Sequence, residues 1–284
     1  MDQRELIDLK IFAARIRLEA IRAIGKAGKG HIGGAMSMVE TLAVLYGKVM
    51  QVDPHNPRME NRDRFVLSKG HAGPSLYAAL AIKGFFPMDV MSTMNQGDTI
   101  LPSHCDRNKT PGIDYSTGSL GQGISMASGA ALAAKLKNQS YYTYCMVGDG
   151  ECNEGQVWES VLFSAHHKLD QLIVFVDYNK QQLDGWTDEI CGLGNLKKKF
   201  EEFGWFALEI DGHDLEAIDE AIQQAKNQKE KPSVIVLNTV KGKGCSYAEM
   251  KILCHSMSIP QEACDAEYIF LESEIARLTA MKED

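Results

Sequence analysis

The feature that most constrains this chain is a set of uninterrupted apolar segments in its second half, each separated by an amphipathic one. Tyr141 to Val147, Leu172 to Tyr178 and Ser233 to Asn238 are apolar or aromatic at nearly every position. A strand with one wet face alternates; a strand apolar throughout is covered on both faces, as in a parallel sheet. Between these segments, Val157, Trp158, Val161, Leu162 and Ala165 fall on one side of a helix predicted for Gln156 to His167. A further helix is predicted near Leu193 to Phe203, then a strand from Trp205 to Ile210. Asp214 is a good N-cap for a helix to about Asn227. This alternation predicts an open α/β fold, a mostly parallel sheet with helices on both faces.

The first half joins the same domain. Leu6, Leu9, Ala13, Ile16, Ala20 and Ile24 have helical spacing, and Gly25, Gly28 and Gly30 stop that helix. A second helix is predicted from about Met36 to Met50, a short strand from Arg64 to Ser68 and a helix from Pro74 to Lys83. Residues 95–118 form a long irregular stretch, of a kind often functional inside a compact domain. Leu120 to Lys137 reads as a tightly packed Ala- and Gly-rich helix. Tyr268, Leu271, Ile275 and Leu278 suggest a last helix. With no linker or repeat, 1–284 is predicted to be one domain.

Charge and cysteine content narrow the function. With a formal charge of −8 and dispersed Lys and Arg, nothing suggests a nucleic-acid surface, and no nucleic-acid partner is expected. Lys197 to Lys199, followed by Glu201 and Glu202, reads as a solvated helix face. The apolar runs are too short to span a membrane, and the charged start MDQRELIDLK is no signal peptide. A cytoplasmic protein is expected. The seven cysteines form no C-x-x-C pair and read as reduced thiols. His104-Cys105 and Cys254-His255 are only weak metal-ligand pairs.

Ligands of open α/β sheets bind beyond the carboxyl ends of the strands. Two polar groups fall at such ends: Gly148-Asp149-Gly150 after Val147, and Asn179 after Tyr178. If the two strands are neighbours, Asp149 and Asn179 meet. An Asp carboxylate and an Asn carbonyl are hard donors suited to Mg²⁺ or Ca²⁺, with phosphate oxygens and water completing the shell. Gly148 and Gly150 allow close approach of a diphosphate to backbone N–H groups. Gly118-Ser119-Leu120-Gly121-Gln122-Gly123 follows no strand, and Tyr142, Thr143 and Tyr144 stand where a dinucleotide fold needs an acid. The cluster is better suited to contact a flat ligand at a helix start. His31, His71, His104 and His255 lie in loops and suggest a polar pocket for hydroxyls, phosphate and proton transfer. His166 and His167 belong to a helix; His55 and His213 carry no assignment.

Assembled, these residues resemble the N-terminal, diphosphate-binding half of transketolase. The matching stretches are GKGHIGGAMSMVETLAVLY (29–47), DRFVLSKGHAGPSLYAAL (63–80), STGSLGQGISMASGAALA (116–133), GDGECNEGQVWES (148–160), VDYNKQQLDG (176–185), DGHD (211–214) and VKGKG (240–244). The resemblance implies the thiamine diphosphate-binding fold, with Mg²⁺ (or Ca²⁺) held by Asp149, Asn179 and the carbonyl of Gln181. It implies that Gly148, Asp149, Gly150, Glu151, His71 and His255 bind the diphosphate end. Gly118, Ser119 and Leu120 would contact the aminopyrimidine, and Leu183 the thiazolium. His31, His71, His104 and His255 would line the substrate channel, His255 within the divergent KILCHSMSIP. Glu154 would join a proton relay near a subunit interface, although a helix-start carboxylate serves the macrodipole equally well.

The resemblance also implies a partner. The family's second α/β domain supplies the glutamate that activates the cofactor, and the chain closes on a helix before any such domain. The expectation is the N-terminal subunit of a split transketolase. It would pair with a C-terminal subunit in an α2β2 assembly and move a two-carbon ketol unit between sugar phosphates. The cofactor ring would be the electron sink. The rival readings are an α-type subunit of a 2-oxo acid dehydrogenase, a pentulose phosphate synthase relative, and a non-catalytic cofactor-binding regulatory subunit.

Overall fold

The computed structural model describes residues 1–283. Its centre is a five-stranded sheet of β1 (Arg64–Leu67), β2 (Thr143–Gly148), β3 (Leu172–Tyr178), β4 (Phe206–Asp211) and β5 (Ser233–Asn238). The order is β1-β2-β3-β5-β4, and every pairing is parallel. β2 and β3 are hydrogen-bonded neighbours, with Gly148 in register with Asp177. β2 and β3 are buried along nearly their whole length, as uninterrupted apolar strands should be. β4 lies one residue on from the strand expected over Trp205 to Ile210. It is an edge strand whose alternate residues reach solvent, which accounts for Glu209 in FALEID.

Successive strand residues point to opposite faces and so build two cores. On one face Phe65, Tyr144, Met146, Ile173, Phe175 and Ile235 pack under α1 (Gln3–Ala27), α4 (Gly73–Lys83) and α9 (Leu215–Lys226). On the other, Val66, Cys145, Val147, Val174, Val176 and Val236 pack under α5 (Gln122–Leu136), α6 (Gly155–His166) and α8 (Leu196–Glu202). The remaining helices are α2 (Ile32–Met36), α3 (Val39–Val44), the short α7 (Thr187–Cys191) and α10 (Gln261–Glu283).

Two helix boundaries differ from expectation, each for a packing reason. α1 begins in a capping box between Asp2 and Glu5 and ends at Gly28, whose φ of 79° suits glycine. It does not stop at Gly25: a Cβ there would lie 2.8 Å from Cys264 Sγ, so this glycine lets α10 approach. The single helix predicted for Met36 to Met50 is instead α2, α3 and a π-helical turn over Leu45–Val49. Ile32 to Val44 are buried all round, so no amphipathic period marks the break. Asp214 does cap α9, accepting from the N–H groups of Glu216 and Ala217. Among the described residues no helix is long and apolar enough to cross a membrane.

Candidate functional site

Because the strands are parallel, the turns after β1, β2, β3 and β5 all emerge at one end of the sheet. There they surround a cavity of about 380 Å³. Asp149 stands after β2 and Asn179 after β3. The Asp149 carboxylate accepts the N–H groups of Gly150 at 2.8 Å and Lys180 at 2.6 Å, and the Thr187 hydroxyl at 3.1 Å. One carboxylate thus joins both strand ends. Burial, with Asp177 nearby, pushes its carboxyl up to about 6.

Asn179 is oriented from both sides. Its Nδ2 donates to Asp177 at 2.9 Å, and its Oδ1 accepts the Gln181 N–H at 3.2 Å, which settles the amide orientation. Asp177 also accepts from Ser37 Oγ, Lys69 Nζ and Thr239 Oγ1. These donors hold its carboxyl below the usual range although burial alone would raise it.

Lys241, after β5, sends Nζ to the main-chain carbonyls of Gln181 at 3.1 Å and Gln182 at 3.0 Å. Its ammonium is disfavoured chiefly by burial. The Gln181 carbonyl therefore already accepts one bond, with a second lone pair remaining. Gln181 Oε1 is buried without a hydrogen-bond partner among the described residues.

The histidines converge around His31. Its ring centroid lies 5.4 Å from that of His71 and 5.5 Å from those of His104 and His255; His71 and His255 are 4.6 Å apart. Burial is the largest cause lowering the imidazole pKa of His31, His71 and His255, the last to about 4. All three are neutral at pH 7, so each ring can donate from one nitrogen and accept at the other. His104 is exposed in the irregular segment, against Gly118.

Gly118, Leu120, Gly148, Gly150, Glu151, Glu154 and Leu183 share this cavity. Ser119, an expected contact, is not among the lining residues. Both oxygens of Glu151 accept from protein donors, so this carboxylate holds loops together in the wall of the cavity. Glu154 occupies the N-cap position of α6, one residue before the first turn, and its exposed carboxylate caps no N–H. Lys69, Asp177 and Lys241 were missed. Asp177 had a signal, an acid inside a continuous apolar strand; Lys69 and Lys241 are cations in glycine-bearing turns just after strands.

The donor set fits a hard divalent ion and a diphosphate. One carboxylate, one amide oxygen and a main-chain carbonyl match Mg²⁺ or Ca²⁺ chemistry. Gln181, which lines the cavity, also carries the orphaned acceptor Oε1. Among the described residues no three His, Cys, Asp or Glu side chains converge as a metal set. Cys105 and Cys254 are free and buried, and among the described residues neither belongs to such a set.

The comparisons agree with this chemistry. Residues 9–267 match the family described as transketolase, thiamine diphosphate binding domain. The chain is 50% identical to the 6-deoxy-6-sulfo-D-fructose transketolase subunit of Clostridium sp., covering 94% of this chain and 98% of that one. It is 38% identical to one of the subunits of the apulose-4-phosphate transketolase of Phocaeicola vulgatus, over 87% of each chain. Against human transketolase the identity is 37% over 93% of this chain, but the match spans 42% of the human protein. The solved transketolase of Leishmania mexicana superimposes with a TM-score of 0.85 at 30% identity, covering 100% of this chain and 46% of that one. The chain belongs to the transketolase family and is its thiamine diphosphate-binding, N-terminal type of subunit.

Proposed function

We propose that this chain and a separate C-terminal subunit together form a thiamine diphosphate- and Mg²⁺-dependent transketolase, transferring a two-carbon ketol unit between sugar phosphates. The observation that carries this reading is one cavity holding both Asp149 with Asn179 and the cluster of four histidines. A metal and diphosphate anchor alone would suit any enzyme of this cofactor. A ring of imidazoles suits a hydroxyl-rich substrate, which disfavours a 2-oxo acid dehydrogenase.

Asp149, Asn179 and Gln181 would hold the ion, with Ca²⁺ as the alternative to Mg²⁺. Gly148 and Gly150 leave room for the diphosphate, and Gly118 and Leu120 would meet the aminopyrimidine. The bound cofactor supplies an electron sink for cleavage of a carbon–carbon bond. His31, His71, His104 and His255 orient sugar hydroxyls and pass protons to and from them. Positioned donors and acceptors of this kind supply much of the rate.

The partner reading rests on exposed apolar side chains on the segments that line the cavity. Leu183 lines it and is 58% exposed, and Leu253, two residues before His255, is 79% exposed. Large apolar side chains beside a polar site mark an interaction surface. A C-terminal subunit would cover them, exclude water and present the activating carboxyl, with two copies of each chain forming α2β2. The relatives named as subunits support a separate partner chain.

The 50% identity to a protein named for 6-deoxy-6-sulfo-D-fructose favours a second reading of the donor, a sulfonated ketose in place of a phosphorylated one. The test is copurification of the partner, then assay of the chain, the partner and their mixture. Each is given Mg²⁺, thiamine diphosphate, an aldose phosphate and either a ketose phosphate or 6-deoxy-6-sulfofructose. Ketol transfer by the mixture alone is expected. Robust transfer by the verified single chain, or none by the complex with either donor, overturns the proposal.

A further inference from the structure

The geometry points to Glu151 as a positioning residue whose carboxylate fixes the spacing of three loops around the cofactor cavity. It deepens the function proposed above and rests on reading that cavity as the diphosphate site.

Glu151 lies in the short turn Gly150–Asn153 and is 2% exposed. One carboxylate oxygen, Oε1, accepts the hydroxyl of Ser68 and the N–H of Gly121, the latter at 2.8 Å. The other, Oε2, accepts the N–H of Gly148 at 3.1 Å. Ser68 follows β1 and precedes His71. Gly121 opens α5, just after Gly118 and Leu120. Gly148 ends β2 beside Asp149. A single side chain therefore ties the loops bearing a channel histidine, the aminopyrimidine contacts and the metal carboxylate. Ser68 extends the brace, because its Oγ also accepts the N–H of Ile124 at 3.2 Å.

The loops are packed too closely for another group to take over. A Cβ on Gly123 would lie 2.5 Å from Ser68, and one on Gly70 would lie 2.7 Å from the backbone of Thr117. The seams between β1, α5 and the Gly118 loop leave no room for a bridging side chain. All of the donors facing Glu151 are N–H or O–H groups, so the brace needs an acceptor at both oxygens. Glutamine keeps the shape and one acceptor oxygen. Its NH₂ group must then face a donor, either the N–H of Gly148 or the pair from Ser68 and Gly121. The isosteric change thus removes one arm of the brace and leaves a buried N–H opposed.

The test uses the chain assembled with its partner, and compares wild type, Glu151→Gln and Ser68→Ala. Thiamine diphosphate affinity with Mg²⁺ is measured by calorimetry, and amide exchange is followed over residues 118–124 and 148–155. Glu151→Gln is expected to weaken cofactor affinity by about tenfold or more. Exchange should speed at these two segments, but not at β3 or β5, and turnover should recover as cofactor is raised. Ser68→Ala, which leaves the Gly121 and Gly148 bonds in place, should have a smaller effect in the same direction. If Glu151→Gln does not fold, Ser68→Ala and Glu151→Asp give the same readouts. Wild-type affinity in all folded variants overturns the brace. So does uniform loss of protection across the sheet, which would make Glu151 a general stability residue. If wild type binds no cofactor, the proposed function fails and not the brace.

Discussion

Lys69 Nζ lies 2.5 Å from Asp177 Oδ2, and the two side chains are 2% and 0% exposed. Lys69 lines the candidate cavity, and Asp177 accepts from Asn179. Lys69 also donates to the Gly34 carbonyl at 2.7 Å, and Asp177 accepts from Ser37, Thr239 and Asn179. A buried pair is tolerable only with further hydrogen bonds around it, and each partner here has them. Its consequence for the site is the fixed orientation of Asn179.

Removal of one partner should therefore be costly. Asp177→Ala leaves the Lys69 ammonium buried without its counter-charge, and is expected to lower unfolding free energy by about 3–5 kcal/mol. Urea denaturation of the two proteins measures it. A loss below about 1 kcal/mol would show that the pair does not hold this end of the sheet together.

A second buried network makes a pH prediction. Glu40 accepts from Arg17 at 2.6 Å and from His213 Nδ1 at 3.0 Å, while His213 Nε2 accepts the N–H of Val240. That last bond places the imidazole proton on Nδ1, facing Glu40. Burial raises the Glu40 carboxyl, but Arg17 and His213 outweigh it and bring it down to about 2. A lowered carboxylate adds stability that is complete above its ordinary value near 4.5 and is lost as pH falls through about 2. Glu40→Gln should cost about 2–3 kcal/mol near neutral pH. The gap to wild type should close as pH approaches 2, as chemical denaturation across a pH series will read. A constant gap would contradict the assignment.

The histidine cluster makes a kinetic prediction. His104 is exposed and belongs to no core, so His104→Ala should change folding free energy by under about 0.5 kcal/mol. Turnover of the assembled enzyme should fall by about 10²–10⁴-fold. Full activity towards every ketose donor would remove His104 from the site.

The sheet is legible in the sequence because its strands carry a pattern that burial imposes. The apolar run Ser233 to Asn238 coincides with β5, and the pairing of β2 with β3 meets the condition under which Asp149 and Asn179 converge. The polar strand-end residues Asp149 and Asn179 and the loop histidines stand out against that background. What stays hidden lacks a local signature. Ile32 to Val44 has no wet face, so neither its break nor its π turn leaves a pattern. Lys69 and Lys241 are charged residues whose burial depends on partners far along the chain, such as Lys69 with Asp177. Spacing along the chain does not encode such pairings; the sheet order does.

The most direct measurement is a calorimetric titration of thiamine diphosphate, with Mg²⁺ and after chelation, into the chain assembled with its partner. It is repeated with Asp149→Ala and Asn179→Ala. Asp149 joins the ends of β2 and β3, and Asn179 is held from two sides by Asp177 and the Gln181 N–H. The account predicts tight binding by wild type that is lost on chelation and lost in both variants, with their far-ultraviolet circular dichroism retained. Wild-type affinity in both variants, or binding indifferent to the metal, would contradict it.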